Sequence, residues 1–283
     1  MIEIRHRASG EVLRTLEADS LVGADLRDDI LDGADLSGQD LSGAWLQETD
    51  LHGADMRGAR LDGAMMVRTR LDRAELQDVS LVGARLSDGS PGSGAVLAGA
   101  QLQRALIDGS DLRFTELNGA QLAGARILRS DLSDAFLQEA NLRGCEIENS
   151  QLIETNLSGA DLSDSVICHT HMNGAKLVRA IMDRVRLGGD SCVPVVLNLA
   201  NLREASLVEA DLRGVSLRDA NLHHANLTRA DLSNALLMGS VLRHAEVAGA
   251  NFAGVPLVTV NITFANFSQA INAEIPEFKQ NVR

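Results

Sequence analysis

The chain has 283 residues, which is enough to bury a core, and it carries a formal net charge of −13 with only 2% aromatic residues. The charge is uneven, since residues 1–175 hold 29 acidic and 15 basic side chains (a balance of −14) and residues 176–283 hold 10 and 11 (a balance of +1). Such acidity excludes direct binding to nucleic-acid phosphates, and the sequence has no run of about 18 apolar residues that could span a membrane.

The first predicted element is a β-hairpin over residues 1–20. Two segments of alternating apolar and polar residues, IEIRHR and EVLRTLE, flank the turn-forming triplet Ala8-Ser9-Gly10. This hairpin precedes the regular part of the sequence, and we expect it to cap the element that follows.

A five-residue repeat occupies most of the chain. Every fifth residue is Leu or Met over 21–86, is Leu, Ile or Met over 97–187, and is apolar over 197–267. The residue two positions earlier is small in most repeats. A period of five fits neither an amphipathic helix nor a half-buried strand, and the many Gly, Asp, Asn and Ser residues are poor helix formers. The pattern predicts an all-β solenoid whose wall turns every five residues.

Two irregular stretches interrupt the repeat, SDGSPGSGAV at 87–96 and GGDSCVPVV at 188–196. The Ser-Pro-Gly-Ser-Gly segment at 90–94 predicts a loop that projects from the wall, so its deletion should leave the fold intact. Three of its residues are candidate partner contacts: Ser90, Pro91 and Gly92.

The repeats themselves carry a resemblance to a known family. They read A-(D/N)-L-x-x, as in Ala34-Asp35-Leu36-Ser37-Gly38 and Ala160-Asp161-Leu162-Ser163-Asp164. This pattern resembles that of the pentapeptide-repeat proteins over roughly residues 21–270. The resemblance implies a right-handed, quadrilateral parallel β-helix with one pentapeptide per face and about 12 coils. Caps are expected at both ends, at 1–20 and at 271–283.

Acidic columns are the first candidate binding feature. With 20 residues per coil, positions 20 apart stack in neighbouring coils. Four aspartates are therefore predicted to share a column that Gln151, His171 and Ser191 interrupt: Asp111, Asp131, Asp211 and Asp231. Such ladders resemble the acidic spacing by which some family members mimic DNA, including the quinolone-resistance branch that protects DNA gyrase. The alternative is that Asp at this position simply helps to form the turn.

Exposed apolar residues are the second candidate binding feature. Trp45 and Met65 occupy the normally polar position just before the central apolar residue, and they are predicted to lie one coil apart. Tryptophan is favoured as an interface anchor, so this pair predicts a contact patch. The alternative is that both are scattered surface apolar residues, which are common.

The C-terminal end is rich in phenylalanine and predicts either a hydrophobic plug or a homodimer interface. Several family members dimerise at this end, so we expect a homodimer. Its candidate contacts are Phe252, Phe264, Phe267 and Phe278.

Residues with catalytic or metal-binding chemistry are sparse. The cysteines (Cys145, Cys168 and Cys192) form an odd, sparse set, which argues against a disulfide framework and favours a reducing cytoplasm. Cys145 occupies a small inward position and is expected to be buried. The column of Glu204, His224 and His244 and the segment at 168–171 (Cys-His-Thr-His) lack a zinc spacing. We predict no catalytic residues, no metal site and no cofactor.

These observations favour a non-enzymatic scaffold that binds a protein partner through the acidic surface of a rod-like β-helix. The alternative function is that of a DNA mimic that binds a type II topoisomerase, DNA gyrase or topoisomerase IV, and confers resistance to its poisons. No sequence resembles a signal peptide, and we expect a cytoplasmic protein with no direct contact to nucleic acid or membrane.

Overall fold

The computed structural model describes residues 1–190 and 192–279. The chain divides into two compact units, unit 1 (Met1–Asn141) and unit 2, which begins at Leu142. Each unit consists of stacked β coils, and the described residues contain no α-helix. Nor do they include a helix that is long and apolar enough to cross a membrane.

Unit 1 opens with an antiparallel hairpin. Strand β1 (Ile2–His6) pairs with β2 (Val12–Leu16) on one side and with β3 (Ala34–Asp35) on the other. The hairpin packs closely on the first coils, because a Cβ at Gly33 would lie 2.6 Å from the His6 imidazole nitrogen Nε2. Glycine at this position therefore allows β1 to dock against β3.

The coils of unit 1 are joined by parallel backbone pairing between residues 20 apart, or 26 apart where residues 87–94 intervene. The Leu46 N–H, for example, donates to the Met65 carbonyl at 2.8 Å, and the Trp45 N–H donates to the Ala24 carbonyl at 2.9 Å. Regular strands form on one of these ladders, which holds β4 (Ser80–Val82), β5 (Leu106–Asp108) and β6 (Arg126–Leu128) in parallel order. The other parallel ladders in the described part of unit 1 consist of single bridges.

Unit 2 repeats this architecture. Strands β7 (Glu146–Glu148) and β8 (Val166–Cys168) pair in parallel. The last bridge joins Asn251 to Ile271, one residue beyond the predicted end of the repeat at 270. A short 3-10 helix over Phe267–Gln269 precedes this bridge, and a second one over Glu277–Lys279 follows it. Residues 280–283 of the predicted tail lie outside the described part of the chain.

The core consists of the predicted repeat centres. All of them are buried except Phe267, which is half-buried in the first 3-10 helix and is therefore not a wall position. The small inward positions beside the centres are mostly buried alanines, and Cys145 occupies one of them as predicted. Where Thr49 stands at such a position, its hydroxyl is satisfied by donating to the Leu26 carbonyl at 2.7 Å. The buried side chains are thus mostly aliphatic, and Phe252 is the only aromatic one among them in the described part of the chain.

Both irregular stretches are insertions at a turn. In an ordinary turn the Ala44 N–H donates to the Leu41 carbonyl at 3.0 Å, with two residues between them. The corresponding bond in unit 1 runs from Ala95 to Leu86 at 2.8 Å, so residues 87–94 replace a two-residue turn. In unit 2 it runs from Val195 to Leu187 at 2.9 Å, so residues 188–194 do the same.

The loop at 87–94 is held to the wall from within. Ser87 and Ser93 are buried with their hydroxyl oxygens 2.8 Å apart, and the Ser93 hydroxyl also donates to the Ser90 carbonyl at 2.7 Å. Hydrogen bonds from Ser90 and Ser93 lower the pKa of Asp88 to about 2. The expectation that 90–94 can be deleted stays a prediction. This cut would remove the buried Ser93 and leave three residues between Leu86 and Ala95, one more than an ordinary turn has.

The loop at 188–194 is fixed covalently, since Cys168 at the end of β8 forms a disulfide with Cys192. Both cysteines are buried. This bond overturns the expectation that the cysteines are unpaired with one another, and with it the cysteine-based argument for a reducing compartment. The cysteine count could not reveal the pair, because the residues are separated in sequence and meet only when the loop folds back onto the wall.

Candidate protein-binding surface

One ladder of unit 1 brings together several of the predicted contact residues. We call it the Trp45 ladder. Arg85, in the middle of this ladder, is followed after one residue by the loop at 87–94, whose exposed tip holds Ser90, Pro91 and Gly92. The members of the ladder, in order, are Asp25, Trp45, Met65, Arg85, Asp111 and Asp131.

Trp45 is the most prominent feature of this ladder. Its side chain is 46% exposed, and Met65, directly adjacent in the next coil, is half-buried. The guanidinium carbon of Arg27 lies 5.3 Å from the centre of the indole ring. Asp25 holds this guanidinium through Nε–Oδ1 and Nη2–Oδ2 contacts of 2.8 and 2.7 Å, and these hydrogen bonds lower the pKa of Asp25 to about 2. The exposed ring therefore has one face packed by a cation and a charged rim beside it.

Asp111 and Asp131 are adjacent on the ladder, as predicted, but they are not free carboxylates. The Arg113 guanidinium donates to both oxygens of Asp111, at 2.9 and 2.6 Å, and lies 3.7 Å from Asp131. Their side chains are 21% and 33% exposed. Arg113 thus neutralises much of the negative charge that the two aspartates present.

Asp211 and Asp231 lie together on unit 2, but the single column predicted for all four aspartates is wrong. His171 pairs with Val196 in the next coil, whereas Asp211 pairs with Arg186. The cause is the insertion at 188–194, which moves the following residues on by five, so residues 20 apart no longer stack across it. Ser191, predicted to interrupt the column, lies outside the described residues.

The environment of Asp211 repeats that of Asp111. Arg213 donates to both of its carboxylate oxygens, at 2.9 and 2.8 Å, and lies 3.9 Å from Asp231. Burial raises the pKa of Asp211, but the hydrogen bonds from Arg213 outweigh this effect and the pKa is lowered. The Asp-Leu-Arg sequence thus forms an internal ion pair in each unit, beside the inserted loop.

Aspartate at this repeat position forms the turn, as the alternative interpretation proposed. Its Oδ1 accepts the backbone N–H two residues later, for instance from Ser133 to Asp131 and from Ser233 to Asp231, both at 2.9 Å. Asparagine serves equally well, as in the Thr228 N–H to Asn226 bond of 3.0 Å. Since the neutral amide replaces the carboxylate in this role, the acidic ladders have a structural cause that is independent of any partner.

The four C-terminal phenylalanines do not form one surface. Phe252 is 1% exposed and belongs to the core, so its predicted place in a dimer interface is wrong. The half-buried Phe267 packs against it at 5.1 Å between ring centroids. Phe264 and Phe278 are exposed, at 47% and 69%.

The metal-ligand candidates are also rearranged. Cys168 is in the disulfide, which removes the sulfur ligand from the segment at 168–171. The Glu204 carboxylate is engaged by Arg179 at 2.7 Å. His224 and His244 stack in adjacent coils, as the column predicts. His223, which is not part of that column, lies beside them. Its position directly before His224 in the sequence was the available signal.

Stacked β coils with a five-residue sequence period define a β-solenoid repeat protein. The family model described as Pentapeptide repeats (8 copies) matches most of the chain, and the chain belongs to this family. The matched residues are 20–58, 54–88, 93–127, 120–159, 145–184 and 197–234.

Solved structures show similar proteins. HetL, a pentapeptide-repeat protein involved in heterocyst differentiation regulation in the cyanobacterium Nostoc sp. strain PCC 7120, is 30% identical, with a TM-score of 0.50 over 74% of this chain and 86% of HetL. Full-length QnrB1, a plasmid-mediated fluoroquinolone resistance protein, is 18% identical, with a TM-score of 0.44 over 73% of this chain and 90% of QnrB1. The curated proteins gave no significant match.

Proposed function

We propose that the chain is a non-enzymatic scaffold that binds a protein partner on unit 1, at the Trp45 ladder. The observation that carries this proposal is the exposed indole of Trp45, 46% accessible, next to Met65 in the adjoining coil. While it is exposed, a large aromatic side chain on an otherwise polar wall contributes little to the stability of the fold. Its burial under a partner would contribute favourably to the free energy of binding.

The surroundings of Trp45 have the composition of a binding hot spot. An apolar centre formed by Trp45 and Met65 is bordered by the charged residues Asp25, Arg27 and Arg85. Interfaces concentrate their binding energy in such aromatic and arginine-rich centres, surrounded by polar groups that exclude water. The balance of −14 over residues 1–175 favours a partner with a basic surface. The regulatory involvement of HetL is compatible with a role of this kind.

Replacing Trp45 by serine is expected to abolish partner capture without affecting the fold. The test is quantitative capture from the native host with the wild-type chain and the W45S variant, followed by titration of the purified partner. Loss of this contact should weaken binding at least tenfold, since a central tryptophan is commonly worth about 2 kcal/mol or more.

The matched control for this experiment is Phe136→Ser, which removes another exposed aromatic residue (41% accessible) from the equivalent repeat position of unit 1. It should leave binding unchanged. Equal affinity of the wild-type chain and the W45S variant for the same partner would contradict the proposal.

The second candidate function, a DNA mimic that binds DNA gyrase or topoisomerase IV and confers resistance to their poisons, is favoured by the negative balance of residues 1–175 and by the adjacent Asp111 and Asp131. The ion pairs with Arg113 weaken it. In a supercoiling assay with gyrase and a fluoroquinolone we therefore expect no rescue by this chain. Rescue that is lost in an Asp111→Asn, Asp131→Asn variant would reverse the order of the two functions.

Three further expectations belong to the proposal. We expect a right-handed, four-sided β-helix of about 12 coils, as membership of the family implies, and the pairing of residues 20 apart is compatible with four five-residue sides per coil. Exposed Phe264 and Phe278 support a homodimer formed through the C-terminal end. A cytoplasmic location stays a prediction, and the Cys168–Cys192 disulfide counts against it.

A further inference from the structure

Three histidines of unit 2 form a cluster on two successive coils. His223 and His224 follow Leu222 in one turn, and His244 occupies the equivalent turn of the next coil. The rings of His224 and His244 are stacked, with centroids 4.7 Å apart and an interplanar angle of 4°. The His223 ring meets that of His224 edge-on at 4.3 Å. One nitrogen from each ring can be chosen so that all three lie within 4.8 Å of one another.

The backbone fixes the turns that carry the three side chains. His224 and His244 have the same left-handed turn conformation, with φ of 59° and 56°. Their N–H groups donate to the Arg243 and Thr263 carbonyls of the following coil, both at 3.0 Å. The carbonyl of His223 accepts the Glu204 N–H at 3.0 Å. The cluster is therefore presented by turn positions of two successive coils, and the coil spacing sets the separation of the backbones that carry the rings.

A buried atom in the cluster lacks a partner. The Nδ1 atom of His223 is inaccessible to solvent and makes no hydrogen bond within the described structure. A buried polar atom left unsatisfied destabilises the fold, so such atoms call for an explanation. A bound ion at the cluster would provide one.

From this geometry we infer that His223, His224 and His244 form a binding site for a transition-metal ion of the zinc and copper class. Three imidazoles without a carboxylate or a thiolate suit ions of borderline softness, and three protein ligands leave a position open for water. Metal–nitrogen bonds of about 2.1 Å place the ligand nitrogens of a tetrahedral site about 3.4 Å apart. Binding thus requires the stacked rings to turn edge-on towards the ion, which the exposed His224 side chain can do.

Two arginines, Arg203 and Arg243, lie close enough to the cluster to repel a cation. The Arg243 guanidinium lies over the Phe264 ring, 5.4 Å from its centroid. The nearby Arg203 is paired with Glu204 at 3.3 Å, which offsets its repulsion of a cation.

The test is calorimetric titration of Zn²⁺ into the full, untagged chain. We expect one ion per chain and at least a tenfold loss of affinity in the single variants His224→Asn and His244→Asn. Asparagine is suitable because Asn234 occupies the same kind of turn with φ of 59°. The matched control is His169→Asn, which alters an equivalent turn position (φ 53°) outside the cluster and should bind Zn²⁺ like the wild-type chain.

Thermal unfolding gives a second readout. Zn²⁺ should raise the Tm of the wild-type chain and of the His169→Asn variant, but not that of the His244→Asn variant, because only a native-state site stabilises the fold. The circular dichroism spectra of the metal-free variants establish that each is folded. Absence of a one-to-one binding event, or wild-type affinity in both cluster variants, would overturn the inference.

Discussion

Replacing Gly94 by alanine is expected to lower the free energy of unfolding by about 3 kcal/mol or more. A Cβ at this position would lie 2.1 Å from the Phe114 carbonyl oxygen and 2.6 Å from the Thr115 backbone nitrogen. Both atoms belong to the wall, so neither can move aside in the way that a flexible side chain could. Urea unfolding followed by circular dichroism measures the loss. An unchanged unfolding midpoint would show that the loop does not approach the wall so closely.

Two variants distinguish the steric clash at Gly94 from the effects of backbone conformation and of loop length. Gly92 lies at the exposed tip, and a Cβ there would have no atom within 4 Å. Gly92→Ala should therefore lower the free energy of unfolding by only about 1 kcal/mol, because of the positive φ of 78°.

Removal of residues 88–93 leaves Leu86-Ser87-Gly94-Ala95, which repeats the Leu-Ser-Gly-Ala sequence of the ordinary turn at 41–44. This excision should preserve the fold, because it restores a two-residue turn. Its failure to fold would mean that the loop is required for coil stacking.

The coil architecture could be predicted from the sequence because the five-residue period shows how often the wall must turn. A large apolar residue at every fifth position and a small residue two places earlier leave few ways to bury both. Trp45 and Met65 were placed in adjacent coils correctly, since no insertion lies between them. The period also predicts a buried centre at Phe267, because it does not reveal that a 3-10 helix replaces the ordinary turn in the final coil.

Register across the insertions could not be predicted. At 87–94 the frame visibly slips, but at 188–194 the insertion adds as many residues as one repeat, so the period continues unchanged while the pairing moves on by one position. That is why the four aspartates were assigned to one column. The Cys168–Cys192 disulfide could not be predicted either, because the two cysteines meet only when the loop at 188–194 folds back onto the wall.

Replacing Leu232 by alanine is expected to destabilise unit 2 by about 2–5 kcal/mol. Leu232 is fully buried, and its N–H donates to the Asn251 carbonyl at 2.8 Å, so truncation leaves a cavity inside a closed coil that cannot collapse without breaking the ladder. Phe267→Ala removes a larger side chain, yet it should cost only about 1–2 kcal/mol, since the half-buried ring packs on one side against Phe252.

The order of these two effects distinguishes wall positions from cap positions. Urea unfolding of both variants provides the comparison, with the wild-type chain as reference. If Phe267→Ala proved as costly as Leu232→Ala, Phe267 would belong to the continuous core after all. A smaller cost makes Ile262 the last buried repeat centre and leaves Phe267 at the rim of the final coil, whose backbone pairing continues to the Asn251–Ile271 bridge.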